Sequence, residues 1–273
     1  ASSPGRSAWR GPRSSARRTA NPRYPRGVKL VVLIPVYNEA ATLEAAVQRV
    51  LHAPPPKHAD GSDIDRVLLL VDDGSTDGSG AIVDALAETR EQIITARHPS
   101  NRGKGAAVAT GLAAALDAGA DLVLIHDADM EYDPADHADA VAPIIAGDAD
   151  AVIGSRYAGA SRRVTRFWHR LANRSLTLLS NALSGLDLTD MECCTKVFTR
   201  EVAAKLEITE PRFAVEPQLI AQLARMRVGE ANERARVWEV PVSYAYRSHA
   251  EGKKITWRDG VSAVRAIVKH NLG

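Results

Sequence analysis

A chain of 273 residues, 45% hydrophobic and 25% charged, has the composition of an ordinary globular protein, long enough for one large α/β domain. No run reaches the roughly 18 apolar residues needed to cross a bilayer, so membrane contact is expected to be peripheral only. The formal charge of +2 hides an asymmetry: the first 27 residues hold seven Arg and no acid, which leaves a formal −5 on the remainder.

Residues 1–27 are rich in Ser, Pro, Gly and Arg and show no apolar periodicity, which predicts a disordered basic tail. The tail lacks the apolar stretch of a secretory signal, although its Arg/Ser bias is similar to that of a transit peptide. A pI near 8.6 is no argument for a nucleic-acid partner when the excess sits in one such segment. The two cysteines, Cys193 and Cys194, are adjacent and fit neither a disulfide framework nor a zinc pattern. A reducing, cytoplasmic setting is expected, with any metal held by oxygen ligands.

From Val28 short apolar runs alternate with helical stretches: LVVLIPV then EAATLEAAVQRVLH, VLLLV then SGAIVDALAET, then IITAR, KGAAVATGLAAALDAG, DLVLI, PADHADAVAPIIAG and AVIG. This repetition predicts an α/β fold with a mainly parallel sheet covered by helices on both faces. Polar clusters follow the strands: YNE, DDGSTDGS, PSNRGKG and HDADMEYDP. Ligands of open parallel sheets bind beyond the carboxyl ends of the strands, so these four loops are expected to line one crevice.

After Tyr157 the stretch RRVTRFWHRLANRSLTLLSNAL places Phe167, Leu171, Arg174 and Leu178 at helical spacing, with Trp168, Ser175 and Leu179 close by. Arg162, Arg163, Arg166 and Arg170 lie among them. Such an aromatic, basic, amphipathic helix either packs on the core or lies on a membrane surface. LTDMECCTK, a mixed α/β segment and a final amphipathic helix through WRDGVSAVRAIVKHNL complete the chain. Neither repeats nor a linker interrupt residues 28–273, which are expected to form a single domain with halves 28–158 and 159–273.

Four motifs carry chemistry. Asp72 and Asp73 in VDDGSTDGS either shape a turn and cap a helix or receive the donors of a nucleoside. GSGAIV and GKGAAV lack the closing glycine of a dinucleotide fingerprint, and no phosphate-binding P-loop occurs. IPVYNEA sets Pro35 at a strand end, followed by Tyr37 and Glu39; NRGKGAA carries Arg102 and Lys104 into a helix beginning near Gly105. That second loop offers cations and backbone N–H groups to phosphate, or is a solvated basic turn. LIHDADMEYDP puts Asp127, Asp129, Glu131 and Asp133 at every second position after an apolar run, and such carboxylates repel unless a cation sits among them. They are the hard oxygen ligands that Mg²⁺ or Mn²⁺ prefers. Asp133, before Pro134, is expected instead to cap the next helix.

In order along the chain, IPVYNE, VDDGSTDGS, NRGKGAA, DADMEYDP, GSRY, LTDMECCTK, EPRFAVEPQL and RSHAEGKKI resemble the family 2 inverting glycosyltransferases of GT-A fold. The likeness is strongest to the branch that includes dolichyl-phosphate and other polyprenyl-phosphate sugar synthases. It implies a Rossmann-like GT-A sheet, a nucleotide-sugar half (28–158) and a C-terminal α/β extension on the acceptor side (159–273). By that resemblance Pro35, Tyr37, Glu39 and Asp73, with Asp72 beside it, hold the nucleotide; Lys104 and Asp127 contact the nucleotide sugar; Asp129 and Glu131 bind Mg²⁺ or Mn²⁺. Arg156 meets the acceptor phosphate, and Arg247, Lys253 and Lys254 form a basic cluster. Many relatives have Gln where Glu131 stands, and LTDMECCTK departs from the relatives' D-M-E-T-C-Y-K at Cys193 and Thr195.

The activity so implied transfers a sugar from a GDP- or UDP-sugar to a polyprenyl phosphate at the cytoplasmic face of a membrane. With a phosphate acceptor the nucleophile is already anionic near neutral pH and Arg156 positions it. With a hydroxyl acceptor Asp190 or Glu192 becomes the base; both fit equally a structural part in capping a turn or pairing with Arg. The catalytic set is then Lys104, Asp127, Asp129, Arg156, Asp190 and Glu192. A non-catalytic nucleotide-sugar-binding regulator is the alternative from another class.

Overall fold

The structure is a computed structural model; it describes residue 24 and residues 27–159, 167–246 and 257–273. The basic tail, Arg162, Arg163 and Arg166, and the cluster Arg247, Lys253 and Lys254 lie outside the described residues. In chain order the elements are β1 (Lys29–Val36), α1 (Leu43–His52), β2 (Asp65–Asp72), α2 (Ser79–Glu88), β3 (Ile93–Arg97), α3 (Lys104–Asp117) and β4 (Leu122–Ile125). After a 3₁₀ turn at Pro134–Asp136 come α4 (His137–Ile145), β5 (Ala151–Ser155), α5 (Phe167–Ser184), β6 (Lys196–Thr199), α6 (Arg200–Lys205) and α7 (Val215–Arg225). The chain closes with β7 (Arg227–Val228), β8 (Glu233–Arg234), β9 (Val237–Pro241) and α8 (Trp257–Leu272).

Seven strands form one sheet in the order β3-β2-β1-β4-β6-β5-β9. The apolar runs become strands because both faces are covered: Leu30, Val31, Val32, Leu33 and Ile34 of β1 are all fully buried. Side chains alternate across the sheet, so Val31 and Leu33 join one core layer with Val108 and Leu112 of α3. Leu30, Val32 and Ile34 join the other, with Val47 of α1 and Ile144 of α4. Each such leucine or isoleucine removed from water contributes about 1.5–3 kcal/mol. A Cβ at Gly111 would lie 2.3 Å from Leu33 Cδ1, so α3 sits close on β1 only because that position is bare.

β1 pairs in parallel with β2 on one side and with β4 on the other. Chain direction across the sheet reverses between β1 and β4, and the crevice beyond their carboxyl ends is the place where such sheets bind ligands. β6 is the strand the apolar pattern does not announce. It runs antiparallel between β4 and β5, and it opens with Lys196, a residue type that ordinarily marks the surface. Here Lys196 is buried, and its ammonium donates to the carbonyl of Cys193.

The capping expectation for Asp133 holds: its Oδ1 accepts the N–H of Ala135 at 3.0 Å, with Pro134 at the first position of the turn. On α5 the two readings divide by face. Leu176, Leu179 and Leu183 pack against the core, whereas Phe167, Trp168, Leu171 and Leu178 are exposed.

Candidate active site

The loops after β1 and β2 are laced together. Asn38, at a φ of 51°, donates its N–H to Ser75 Oγ at 3.1 Å and accepts the N–H of Thr76 at 2.8 Å. Glu39 N–H donates to Ser79 Oγ at 2.9 Å, and Ala40 N–H to Asp77 Oδ2 at 3.0 Å. Pro35 and Tyr37 are half-buried in this surface, and buried Glu39 accepts from Thr42 Oγ1 at 2.9 Å.

Asp72 and Asp73 are both buried. Asp72 accepts the N–H of Ser75 at 3.0 Å and pairs with Arg97 at 3.1 Å. Asp73 meets His98 Nδ1 at 2.6 Å and accepts the N–H groups of Arg102 at 2.9 Å and Gly103 at 2.7 Å. These aspartates thereby fasten the second and third crevice loops to one another. The expected supply of open N–H groups for phosphate at the start of α3 is corrected accordingly: two are spent on Asp73, and Ala106 N–H donates to Pro211 O at 3.2 Å. The cause is close packing, since a Cβ at Gly105 would lie 1.9 Å from Glu210 O.

Lys104, the first residue of α3, sends its ammonium into a ring of acceptors. Nζ lies 3.2 Å from Asp127 at the end of β4, 3.0 Å from Glu216 Oε1 on α7 and 3.3 Å from Cys194 Sγ. Burial alone lowers an ammonium's pKa, but Asp127, Cys194 and Glu216 outweigh it and hold Lys104 charged. For Asp127 burial pushes upward and Lys104 pulls it back below the usual carboxylate range.

Beyond Asp127 the backbone makes a tight turn, with Met130 at a φ of 65° and Glu131 N–H donating to Asp129 Oδ1 at 3.0 Å. Burial, then the charges of Asp127 and Glu131, push the Asp129 carboxyl up to about 7. Glu131 is buried, and its Oε2 accepts from the Tyr244 hydroxyl at 2.7 Å. Among the described residues no three His, Cys, Asp or Glu side chains converge into a ready-made metal cage. Asp129 and Glu131, neighbouring carboxylates whose charges act on one another, are hard oxygen donors that fit a divalent cation.

Arg156 follows β5 and is forked onto Asp190, Nε to Oδ2 at 2.6 Å and Nη2 to Oδ1 at 2.7 Å. Asp190 also accepts the N–H of Arg156 at 3.0 Å and Asn173 Nδ2 of α5 at 3.1 Å. Four donors occupy a carboxylate with about four acceptor positions, so Asp190 serves to hold Arg156. Glu192 differs: its Oε1 is buried with no partner among the described residues. Burial, then repulsion by Glu216, push its carboxyl up to about 7.

The structure thus gathers Lys104, Asp127, Asp129, Glu131, Arg156, Asp190 and Glu192 around the β1/β4 end of the sheet. Sequence reasoning did not single out Glu216, Tyr244 or Asn173. Glu216 stands inside the quoted EPRFAVEPQL, but a Glu before Pro in a first helical turn also suits the helix dipole and gives no further signal.

The sheet order and the loops beyond its β1/β4 end have the architecture of the GT-A glycosyltransferases. More narrowly, residues 31–207 match the family described as Glycosyl transferase family 2, and the chain belongs to that family. It is 30% identical over 221 residues to polyprenol monophosphomannose synthase of Mycolicibacterium smegmatis, covering 80% of this chain and 78% of the relative. It is 26% identical over 218 residues to the UDP-N-acetylglucosamine–dolichyl-phosphate N-acetylglucosaminyltransferase of Methanococcus voltae, 74% of this chain and 83% of that one. Among solved structures, glucosyl-3-phosphoglycerate synthase from Mycobacterium tuberculosis, in complex with Mn²⁺ and UDP-glucose, superposes with a TM-score of 0.62 at 19% identity over 90% of this chain and 79% of its own. A mannosyltransferase from Pyrobaculum calidifontis in complex with GDP-mannose and Mn²⁺ gives 0.54 at 21% identity, over 92% and 65%. At these identities the structural likeness establishes the fold.

Proposed function

We propose that the protein moves a sugar from a nucleotide-diphosphate donor to a polyprenyl phosphate at a membrane surface, with inversion at the anomeric carbon. One observation carries the acceptor side. Every exposed large hydrophobic among the described residues lies on α5 or α8: Phe167, Trp168, Leu171 and Leu178 on the first, Val261, Val264, Val268 and Leu272 on the second. These two helices pack against each other. Arg170, Arg174 and Arg265 are exposed beside the apolar positions, the composition of a helix that lies on anionic lipid. Asn173 of the same α5 donates to Asp190, which grips Arg156, so two hydrogen-bonded links, through Asp190, join the helix that carries the apolar face to the proposed phosphate-binding arginine. Among the described residues no helix is long and apolar enough to cross a membrane.

On the donor side the laced loops of Pro35, Tyr37, Glu39, Asp72 and Asp73 form the nucleoside wall, and Lys104 with Asp127 faces the nucleotide sugar. Asp129 and Glu131 would hold Mg²⁺ or Mn²⁺, which when bound neutralises diphosphate charge. The acceptor oxygen attacks one face of the sugar as the diphosphate leaves from the other, so no covalent enzyme intermediate is needed. Lys104 offsets charge on the leaving group. Arg156, with Arg247, Lys253 and Lys254, orients the acceptor phosphate, whose anionic oxygen needs no base. A hydroxyl acceptor is the second reading, and Glu192, with a buried unpartnered oxygen and a carboxyl near 7, favours it as the base.

Incubation of labelled GDP-mannose or UDP-glucose with polyprenyl phosphate in anionic vesicles tests the choice. Label entering the lipid phase, with Glu192→Gln retaining most of the rate, supports the phosphate acceptor. Transfer only to water-soluble hydroxyl compounds, abolished by Glu192→Gln, would replace it with the second reading.

A further inference from the structure

An ammonium has three N–H bonds, and that of Lys104 faces three acceptor groups, on three separate elements: Asp127, Glu216 and Cys194. Glu216 is 6% exposed, its Oε2 is buried without a partner, and the ion pair it makes among the described residues is with Lys104. Its helix is anchored to the segment that packs on the start of α3. Gln218, two residues further along α7, accepts the N–H groups of Thr209 at 3.0 Å and Glu210 at 2.9 Å. The Glu210–Pro211 backbone in turn lies against Gly103 and Gly105, where an added Cβ would come within 2.3 Å and 1.9 Å of carbonyl oxygens. α7 therefore fixes both the backbone that carries Lys104 and the carboxylate that meets its ammonium.

We infer that Glu216 is a positioning residue that holds Lys104 poised between β4 and α7 for the donor's diphosphate. The inference rests on the reading of Lys104 as a donor contact. A donor that engages Asp127 takes away one of the two carboxylates that balance the lysine. Glu216, reaching in from α7, leaves the ammonium a carboxylate partner when Asp127 turns to substrate, and so keeps it in place. Glu216 acts on the sugar only through Lys104.

A double-mutant cycle tests this. Turnover and donor KM are measured for Glu216→Gln, Glu216→Asp, Lys104→Met and Glu216→Gln with Lys104→Met, with unfolding midpoints taken for each protein alone. The expected result for Glu216→Gln is a fall of about 10- to 100-fold in kcat, larger than any change in KM, since the lost help is to leaving-group charge. Glu216→Asp, which keeps the charge, recovers a substantial part. In the Lys104→Met background, Glu216→Gln costs no more than about twofold further, because coupled residues are non-additive. Equal losses in both backgrounds, or full activity in Glu216→Gln, would overturn the inference while leaving the donor site intact. Parental activity in Lys104→Met would remove the reading beneath it. Should Glu216→Gln fail to fold, the same cycle runs with Glu216→Ala, which also removes the charge.

Discussion

Arg156 and Asp190 form a two-pronged ion pair, with Nε to Oδ2 at 2.6 Å and Nη2 to Oδ1 at 2.7 Å, and Asp190 has no exposed surface. Removing one partner strands the other's charge in a dry environment, which costs about 3–5 kcal/mol. Asp190→Asn is therefore expected to lower the urea midpoint sharply, and Arg156→Met less than Asp190→Asn because it leaves a carboxylate that can take up a proton. Chemical denaturation of the two variants checks the order. Asp190→Asn that is as stable as the parent and yet inactive would return Asp190 to the role of base.

Glu192 gives a pH dependence. Burial, then repulsion by Glu216, push its carboxyl up to about 7, above the 4.5 of an ordinary glutamate in the unfolded chain, so the folded state holds the proton more tightly. The stability this contributes is present in full below the unfolded value and is lost as pH rises through the folded one. Stability of the parent should fall between pH about 5 and about 7 more than that of Glu192→Gln. Urea titrations at pH 5, 6, 7 and 8 on both proteins measure the difference; parallel curves would contradict it.

Much of this architecture was legible because burial on both sheet faces writes itself as continuous apolar runs. LVVLIPV, VLLLV, IITAR, DLVLI and AVIG each contain a strand, β1 to β5. The Asp133–Pro134 cap was equally plain, since its chemistry is local. β6 was not, because KVFT is four residues long and begins with a lysine whose burial is made tolerable by the Cys193 carbonyl, a contact no periodicity encodes. The same holds for Glu216 and Tyr244, which reach Lys104 and Glu131 across separations of 112 and 113 residues. Pairings of that kind come from the folded sheet order. Asp72 and Asp73 were visible as motif residues, but only the fold shows that their oxygens fasten neighbouring loops.

Two glycines should respond in opposite directions. A Cβ at Gly105 would collide with the Glu210 carbonyl at 1.9 Å, whereas one at Gly260, on α8, meets nothing within 4 Å. Gly105→Ala is expected to cost about 1–3 kcal/mol or more through overpacking and to weaken donor binding by shifting Lys104. Gly260→Ala is expected to stabilise by about 0.5–1 kcal/mol through helix propensity. Thermal melts of both, with and without donor, make the comparison.

The apolar faces of α5 and α8 predict membrane association without a part in folding. Phe167 is 67% exposed and Leu178 is 69% exposed, so Phe167→Glu with Leu178→Glu should leave stability within about 1 kcal/mol of the parent. The parent should float with anionic vesicles and the double variant should sediment alone. Equal flotation of both would separate these helices from any lipid surface.

The central claim is that the acidic turn beyond β4 receives a divalent ion together with the donor's diphosphate, and thermal-shift titration measures it most directly. The melting point of the parent should rise when GDP-mannose or UDP-glucose is added with Mn²⁺, and much less with either alone, because a ligand that binds only the folded state stabilises by mass action. Asp129→Asn should melt higher than the parent in the absence of ligand, since burial and neighbouring carboxylates hold the Asp129 carboxyl up at about 7, and should lose the Mn²⁺-dependent increment. An undiminished Mn²⁺-dependent shift in Asp129→Asn, Glu131→Gln protein would contradict the account.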